Sequence, residues 1–392
     1  MKSDFVFTSE SVTDGHPDKL CDQISDAIVD HYLERDPQAR IITECAAAKG
    51  VMFIAARFAS DVRADIAGVA REVIRQVGYT EGDFSARDCS ILSSLVELPA
   101  AARVAWDEQA LDDDALDRLT AHHQVSAFGF ACRQTPALMP LPIWLAHQLA
   151  QRLSVARRDP LDYLTPDGTI QVGVEYRAYR PHRIHGITVV VSQEKAGFPT
   201  LEALRQGVVD QVIHPVFQEE PVRPDSHTRI FINPDGPRIG GGPARHSGMT
   251  GRKTAMDTYG GYAHQSGSAM SGKDPLRIDR TSTYVARYAA KNVVAAGLAE
   301  ECEVQLSYSI GLARPVSLQV ETFGTGTVAD EEITRRLEAN IDFRVGAIIR
   351  DFDLRHLSAS GGFYRHLAAY GQVGRLDMEL PWERVDRVEA LS

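Results

Sequence analysis

The feature that most narrows what this chain can fold into is one order of apolar patterning that occurs three times along it. From Pro17 to about Arg35, Leu20, Ile24, Ile28 and Tyr32 recur at helical spacing, with Pro17 where a first turn tolerates proline. Two apolar runs follow, over residues 40–47 and 51–59 around a Lys49-Gly50 turn, and then an amphipathic stretch carrying Ile66, Val69, Val73 and Val77. The same order returns as a helix over 143–157, strands over 171–176 and 184–192 around Arg180-Pro181, and a helix over 200–213. Its third occurrence is a helix over 284–298, alternating strands carrying Val304, Leu306, Tyr308 and Ile310 and then Val316, Leu318 and Val320, and a final helix over 331–349. Successive hairpins lie roughly 130 residues apart, which is too long for a solenoid period and fits three related lobes. The expected fold is therefore α+β, with mostly antiparallel sheets and flanking helices, in domains spanning 1–101, 118–230 and 231–392. Sheets with helices on one side keep the other face for another surface, which predicts a sheet-on-sheet dimer. Residues 96–119, rich in alanine and acid, are expected to form a mobile loop followed by a short helix, either a gate or a solvated connector.

At 392 residues, 44% of them hydrophobic, the chain can bury a sizeable core. Its formal net charge of -11 argues against a general nucleic-acid or membrane-surface binder, so an anionic ligand must meet a local basic cluster. No stretch approaches the ~20 apolar residues of a membrane span, and no signal peptide is read at the start; the expected location is cytoplasmic. Cys21, Cys45, Cys89, Cys132 and Cys302 are scattered and never in CxxC spacing, which suits small core residues in a reducing compartment rather than structural zinc.

Chemistry concentrates in two segments. In Glu10-Ser-Val-Thr-Asp-Gly-His-Pro-Asp-Lys19, turn residues lead into the first helix, whose free N–H groups favour anions; His16 and Lys19 add donors and charge, and Asp18 is a candidate ligand for a divalent ion. Residues 240–280 hold nine glycines among Arg245, His246, Arg252, Lys253, Lys273, Arg277 and Arg280. Glycine lets a backbone approach a ligand closely and clustered cations suit a polyphosphate. Residues 267–274 (GSAMSGKD) nearly match a nucleotide P-loop, which would mean an ATPase or kinase, but Asp274 replaces the magnesium-ligating Ser/Thr, Pro275 follows it, and no hydrophobic strand precedes it.

Together the segments resemble the methionine adenosyltransferases, also called S-adenosylmethionine synthetases. The resemblance rests on FTSESVTDGHPDKLCDQISDAIVD near the start, TGRK with DTYGG, SGKDP with Asp279-Arg280, AKNVVAAGLA, VETFGTG and LPWERVD, and so covers essentially the whole chain. It implies three α/β domains with pseudo-threefold similarity and attack of methionine sulfur on C5′ of ATP, followed by hydrolysis of the tripolyphosphate to phosphate and pyrophosphate. By the same resemblance His16, Lys19, Arg252, Lys253 and Lys273 surround the triphosphate and serve catalysis, and Arg238 stands at the adenine. Asp18 and Asp279 hold two magnesium ions and Glu44 helps bind potassium. The implied assembly is a homodimer or homotetramer with active sites between subunits.

Several positions depart from the family pattern. Arg57 stands where the family has a glutamate for the methionine ammonium, His246 and His123 replace two acidic residues, Thr169 a lysine, and Arg238 an aromatic residue against adenine. Residues 96–119 also lack the family's glutamine-containing gate. Arg277 takes the place of the lysine for the methionine carboxylate, so Arg57, His123, His246 and Arg277 make up the expected acceptor site. An ammonium left about 4 Å from a guanidinium would be repelled by ~1 kcal/mol even in water. The expectation is methionine in a rebuilt pocket; the alternatives are the same chemistry on a different sulfur acceptor, or an ATP-binding paralogue without turnover.

Overall fold

A computed structural model describes residues 4–103, 106–107, 110–195 and 198–392. The elements run β1 (Phe5–Val12), α1 (Pro17–Leu33), β2 (Arg40–Ala48), β3 (Val51–Ala59), α2 (Ile66–Val77), β4 (Ser90–Glu97) and α3 (Asp113–Arg118). They continue through β5 (Val125–Cys132), α4 (Leu141–Ala156), β6 (Leu164–Arg177), β7 (Arg180–Gln193), α5 (Leu201–Val208), α6 (His214–Gln218) and β8 (Arg229–Ile232). The last third carries β9 (Gly248–Met249), α7 (Thr254–Asp257), α8 (Ile278–Ala295), β10 (Glu301–Tyr308), β11 (Ser317–Glu321), α9 (Asp330–Asn340) and α10 (Val345–Asp351).

The three hairpins each nucleate a sheet, in the orders β4-β3-β2-β9, β1-β6-β7-β8 and β11-β10-β5. The pairs are antiparallel except β3 with β4 and β7 with β8, which agrees with the α+β expectation. Each sheet also takes a strand from outside its own helix–hairpin–helix run. β1 lies along β6 from Phe5↔Tyr176 to Val12↔Thr169, β5 lies along β10, and β9 pairs with Ala46 and Ala47 of β2. One apolar core joins α1, the first hairpin, α8 and β10, and a second fills the space between α4 and the long β6–β7 hairpin.

Two expected helices are interrupted. The one over 200–213 ends at Val208 and passes through a π-turn at Val209–Ile213 into α6. Pro215 has no N–H for the carbonyl of Gln211, which instead accepts from Arg152 Nε at 2.7 Å. The final helix is two helices, because Asp342 caps the N–H of Arg344 at 3.0 Å and starts a new turn. In the segment 96–119, α3 is the expected short helix, capped by Asp112 and tied to Arg344 through Asp113. Residues 104, 105, 108 and 109 of the expected mobile loop lie outside the described residues.

The outward face of the first sheet stays open: Val51, Phe53, Leu92, Val96 and Met249 are all exposed on it. Among the described residues no helix is long and apolar enough to cross a membrane.

Candidate active site

The site is built on one face of α1. Asp18, Asp22, Asp26 and Asp30 recur every fourth residue, so they stack along one side of the helix, and all four are buried. Burying carboxylates is costly unless they are hydrogen-bonded, and here each accepts from backbone brought over from the C-terminal part of the chain. Asp18 takes the N–H of Met249 (3.0 Å), Asp22 that of Gly251 (2.8 Å), and Asp26 that of Gly272 (2.8 Å). Asp30 takes those of Tyr364 and Arg365. The first three contacts clamp the glycine-rich segment to the helix. That closeness explains two glycines: a Cβ on Gly248 would come within 2.1 Å of the Pro17 backbone, and one on Gly272, whose φ is +79°, within 2.1 Å of the Thr43 carbonyl.

At the N-terminus of α1, His16 is the cap and its Nδ1 accepts the Asp18 N–H at 3.2 Å. Burial lowers the His16 pKa to about 4, against the pull of Asp167 and Asp18, so the ring is neutral at pH 7. Lys253 Nζ lies 3.0 Å from Asp18 and the Arg252 guanidinium 3.7 Å from it. Beside them His246 Nε2 meets Asp167 at 2.6 Å, the His16 and His246 rings are 5.0 Å apart, and Asp167 also accepts the Gly242 N–H. The hydrogen bond to Asp167 raises the His246 pKa.

A second cluster sits at the start of α8. Asp279 Oδ2 accepts from Lys273 Nζ at 2.8 Å and meets His123 Nε2 at 2.7 Å. Burial opposes ionisation of Asp279, but His123 and Lys273 overcome it and hold its pKa at about 2. Arg277, the cap residue of α8, has a buried Nε with no partner among the described residues.

The other sequence-picked residues lie elsewhere. Lys19 is fully buried between Asp22, at 2.9 Å, and Asp257, to which it also donates. Burial works against its charge, yet the two carboxylates raise its pKa above the ordinary value. An ammonium sealed between two carboxylates has no open path to a triphosphate, which corrects its expected place among the phosphate-binding groups. Arg238 is half exposed and holds Asp235 at 2.8 Å. Arg57 is exposed on the open face of the first sheet, opposite Ile42, and Glu44 is exposed two residues further along β2 on the same face. Thr169 lies in β6. Asp274, at the end of the near-P-loop, accepts the Ile41 N–H at 2.8 Å and pairs with Arg40. That segment is a turn stapled to β2 rather than a strand-to-helix phosphate loop, which removes the ATPase or kinase reading.

Models of the N-terminal, central and C-terminal domains of S-adenosylmethionine synthetase match residues 4–99, 118–238 and 240–384. The chain belongs to this family. The S-adenosylmethionine synthase of Gloeobacter violaceus is 45% identical, over 100% of this chain and 98% of its own length. That of Trichormus variabilis is 46% identical over 100% of this chain and 97% of its own, and that of a Synechococcus strain 44% identical over 98% and 97%.

Within the S-adenosylmethionine synthetase frame the two histidine departures share a property. Each histidine expected to replace an acid closes on a neighbouring carboxylate, His246 on Asp167 and His123 on Asp279. Sequence reasoning passed over Asp22, Asp26, Asp257 and Asp167. For the first two the signal was present, as four aspartates at i, i+4, i+8 and i+12 on a helix whose other side is apolar. For Asp257 and Asp167 no local pattern announces the partner.

Proposed function

We propose that the chain forms S-adenosylmethionine from ATP, methionine and water, releasing phosphate and pyrophosphate. The observation that carries this reading is the gathering of Arg252, Lys253 and His16 at the N-terminus of α1, around the Asp18 carboxylate that the Met249 N–H fixes. With Lys273 they supply the fixed positive charge that a departing triphosphate needs. Because the Nδ1 lone pair of His16 is taken by the Asp18 N–H, its ring proton sits on Nε2, where a neutral imidazole can still donate to the oxygen leaving C5′. Lys19 acts as a positioning residue that holds Asp22 and Asp257 together. Arg277 takes the acceptor's carboxylate, Arg238 stacks on adenine after leaving Asp235, and Arg57, His123 and His246 line the acceptor side.

Asp18 and Asp279 offer hard carboxylate oxygens beside lysines, a donor set that fits magnesium, which when bound would neutralise phosphate charge. Glu44 is the carboxylate proposed for potassium, and it is exposed on the open face of the first sheet. No step is assigned to potassium. The open face of the first sheet supports a homodimer or homotetramer, in which Arg57 and Glu44 would face a second subunit. The spans 1–101, 118–230 and 231–392 serve as its three domains.

The test is to incubate the protein with ATP, magnesium and potassium, with and without methionine, and to follow adenosylated product by mass spectrometry together with phosphate release. Methionine-dependent S-adenosylmethionine is the expected result. Triphosphate cleavage without that product would favour the second reading, a different sulfur acceptor, which Arg57, exposed and without an ion pair among the described residues, supports; nucleotide binding without cleavage would overturn the catalytic reading.

A further inference from the structure

We infer that His16, Asp167 and His246 form a transition-metal site that takes Zn2+, Co2+ or Ni2+ in preference to Mg2+. One ligand atom from each of the three lies within 4.8 Å of the other two, and no other such group of three occurs among the described residues. They come from three separate parts of the fold: the cap of α1, strand β6 and the glycine-rich segment.

Two imidazoles and one carboxylate are a donor set that late first-row ions favour, whereas magnesium prefers oxygen ligands alone. The groups are already oriented for this. Asp167 is fixed through Oδ2 by the Gly242 N–H, and its Oδ1 makes no hydrogen bond among the described residues. His16 is held by Nδ1, which leaves Nε2 as its free ring nitrogen. On loading, the ring proton of His16 moves from Nε2 to Nδ1, so the bond from the Asp18 N–H is given up in exchange for the metal bond, and the nearest acceptor for the new Nδ1–H is an Asp18 carboxylate oxygen 3.8 Å away. The nearby cations Lys253 and Arg252 both lie against Asp18, which reduces their opposition to a bound ion. His246 is partly exposed, so at least one coordination position opens to solvent.

A plain Asp167–His246 ion pair is the competing explanation of the 2.6 Å contact. It requires nothing of His16 and gives no metal affinity, so the two accounts separate by measurement. The inference does not depend on the adenosyl-transfer reading, because its readout is the metal and not turnover. Its consequence for that reading is that an ion lodged here would occupy His16 and inhibit the reaction.

The experiment is a Co2+ titration of tag-free, chelator-treated protein, followed by visible absorption and calorimetry. Absorption bands that saturate at one Co2+ per chain, disappear with Zn2+ and persist in excess Mg2+ are expected. His246→Asp, which keeps a carboxylate, should weaken Co2+ binding at least about 10-fold, and His16→Asn, which keeps a capping side chain, should do the same. Colourless protein, or titrations of wild type and His246→Asp that coincide, would overturn the site whether or not the enzyme makes S-adenosylmethionine.

Discussion

The carboxylate face of α1 and the open face of the first sheet lie on the same lobe and are opposites in construction. On the helix every charge has a partner inside the chain: Asp22 and Asp257 hold Lys19, and Asp26 grips Arg280 twice, at 2.7 and 2.8 Å. On the sheet, Glu44 and Arg57 stand exposed among apolar side chains, with no ion pair among the described residues. The cationic groups proposed for the triphosphate thus lie against carboxylates of the same chain, as do His123 and His246, whereas Arg57, proposed for the acceptor, and Glu44 stand on an open surface. Substitutions on the first face should therefore damage folding or catalysis in the isolated subunit, and those on the second should act through substrate or assembly.

The largest effect is expected for Asp26→Ala, which strands the fully buried Arg280 and leaves the Gly272 N–H unbonded. It should cost about 3–5 kcal/mol of stability, and a denaturation midpoint close to wild type would break the comparison. Lys273→Ala should lower kcat/KM for S-adenosylmethionine formation about 100- to 1000-fold while the protein stays folded by circular dichroism. A smaller effect follows from His16. Its native pKa of about 4 lies below the ordinary 6.5, so between these values the unfolded chain binds a proton that the native ring refuses. Stability present above pH 6.5 should drain away as pH falls toward 4, and melting curves of His16→Asn should lose that part of the slope. The smallest change in stability is expected for Arg57→Glu, within about 0.5 kcal/mol of wild type as for other surface substitutions. Its effect should appear instead as a lower KM for methionine; a severe loss of activity would show that the arginine belongs to the methionine site itself.

The contrast also marks what could be read in advance. Helical spacing from Leu20 to Tyr32 and the Lys49-Gly50 turn are local signals, and the elements they announced are present. So is the pairing of glycine with basic residues around Lys253 and Lys273. What stayed hidden depends on partners far along the chain. Nothing near Lys19 shows that Asp257 will seal it, and nothing near His123 or His246 shows that each ring will meet a carboxylate. The breaks at Pro215 and Asp342 were legible in principle, since a proline and an Asx turn interrupt helices by local chemistry, but apolar periodicity ran through both and masked them.

The strands lent between sheets bear on how the polypeptide reaches this state during synthesis. When β2 and β3 have left the ribosome, their sheet still lacks the strand at Gly248–Met249; β1 waits for β6, and β5 waits for Glu301–Tyr308. Domains usually fold as units, the N-terminal one first, but here no lobe can close its own edge from its own stretch of chain. Proteolytic or genetic fragments ending before residue 301 should accordingly expose unpaired backbone and aggregate, and the protein is best regarded as a single cooperative object whose last third completes its first.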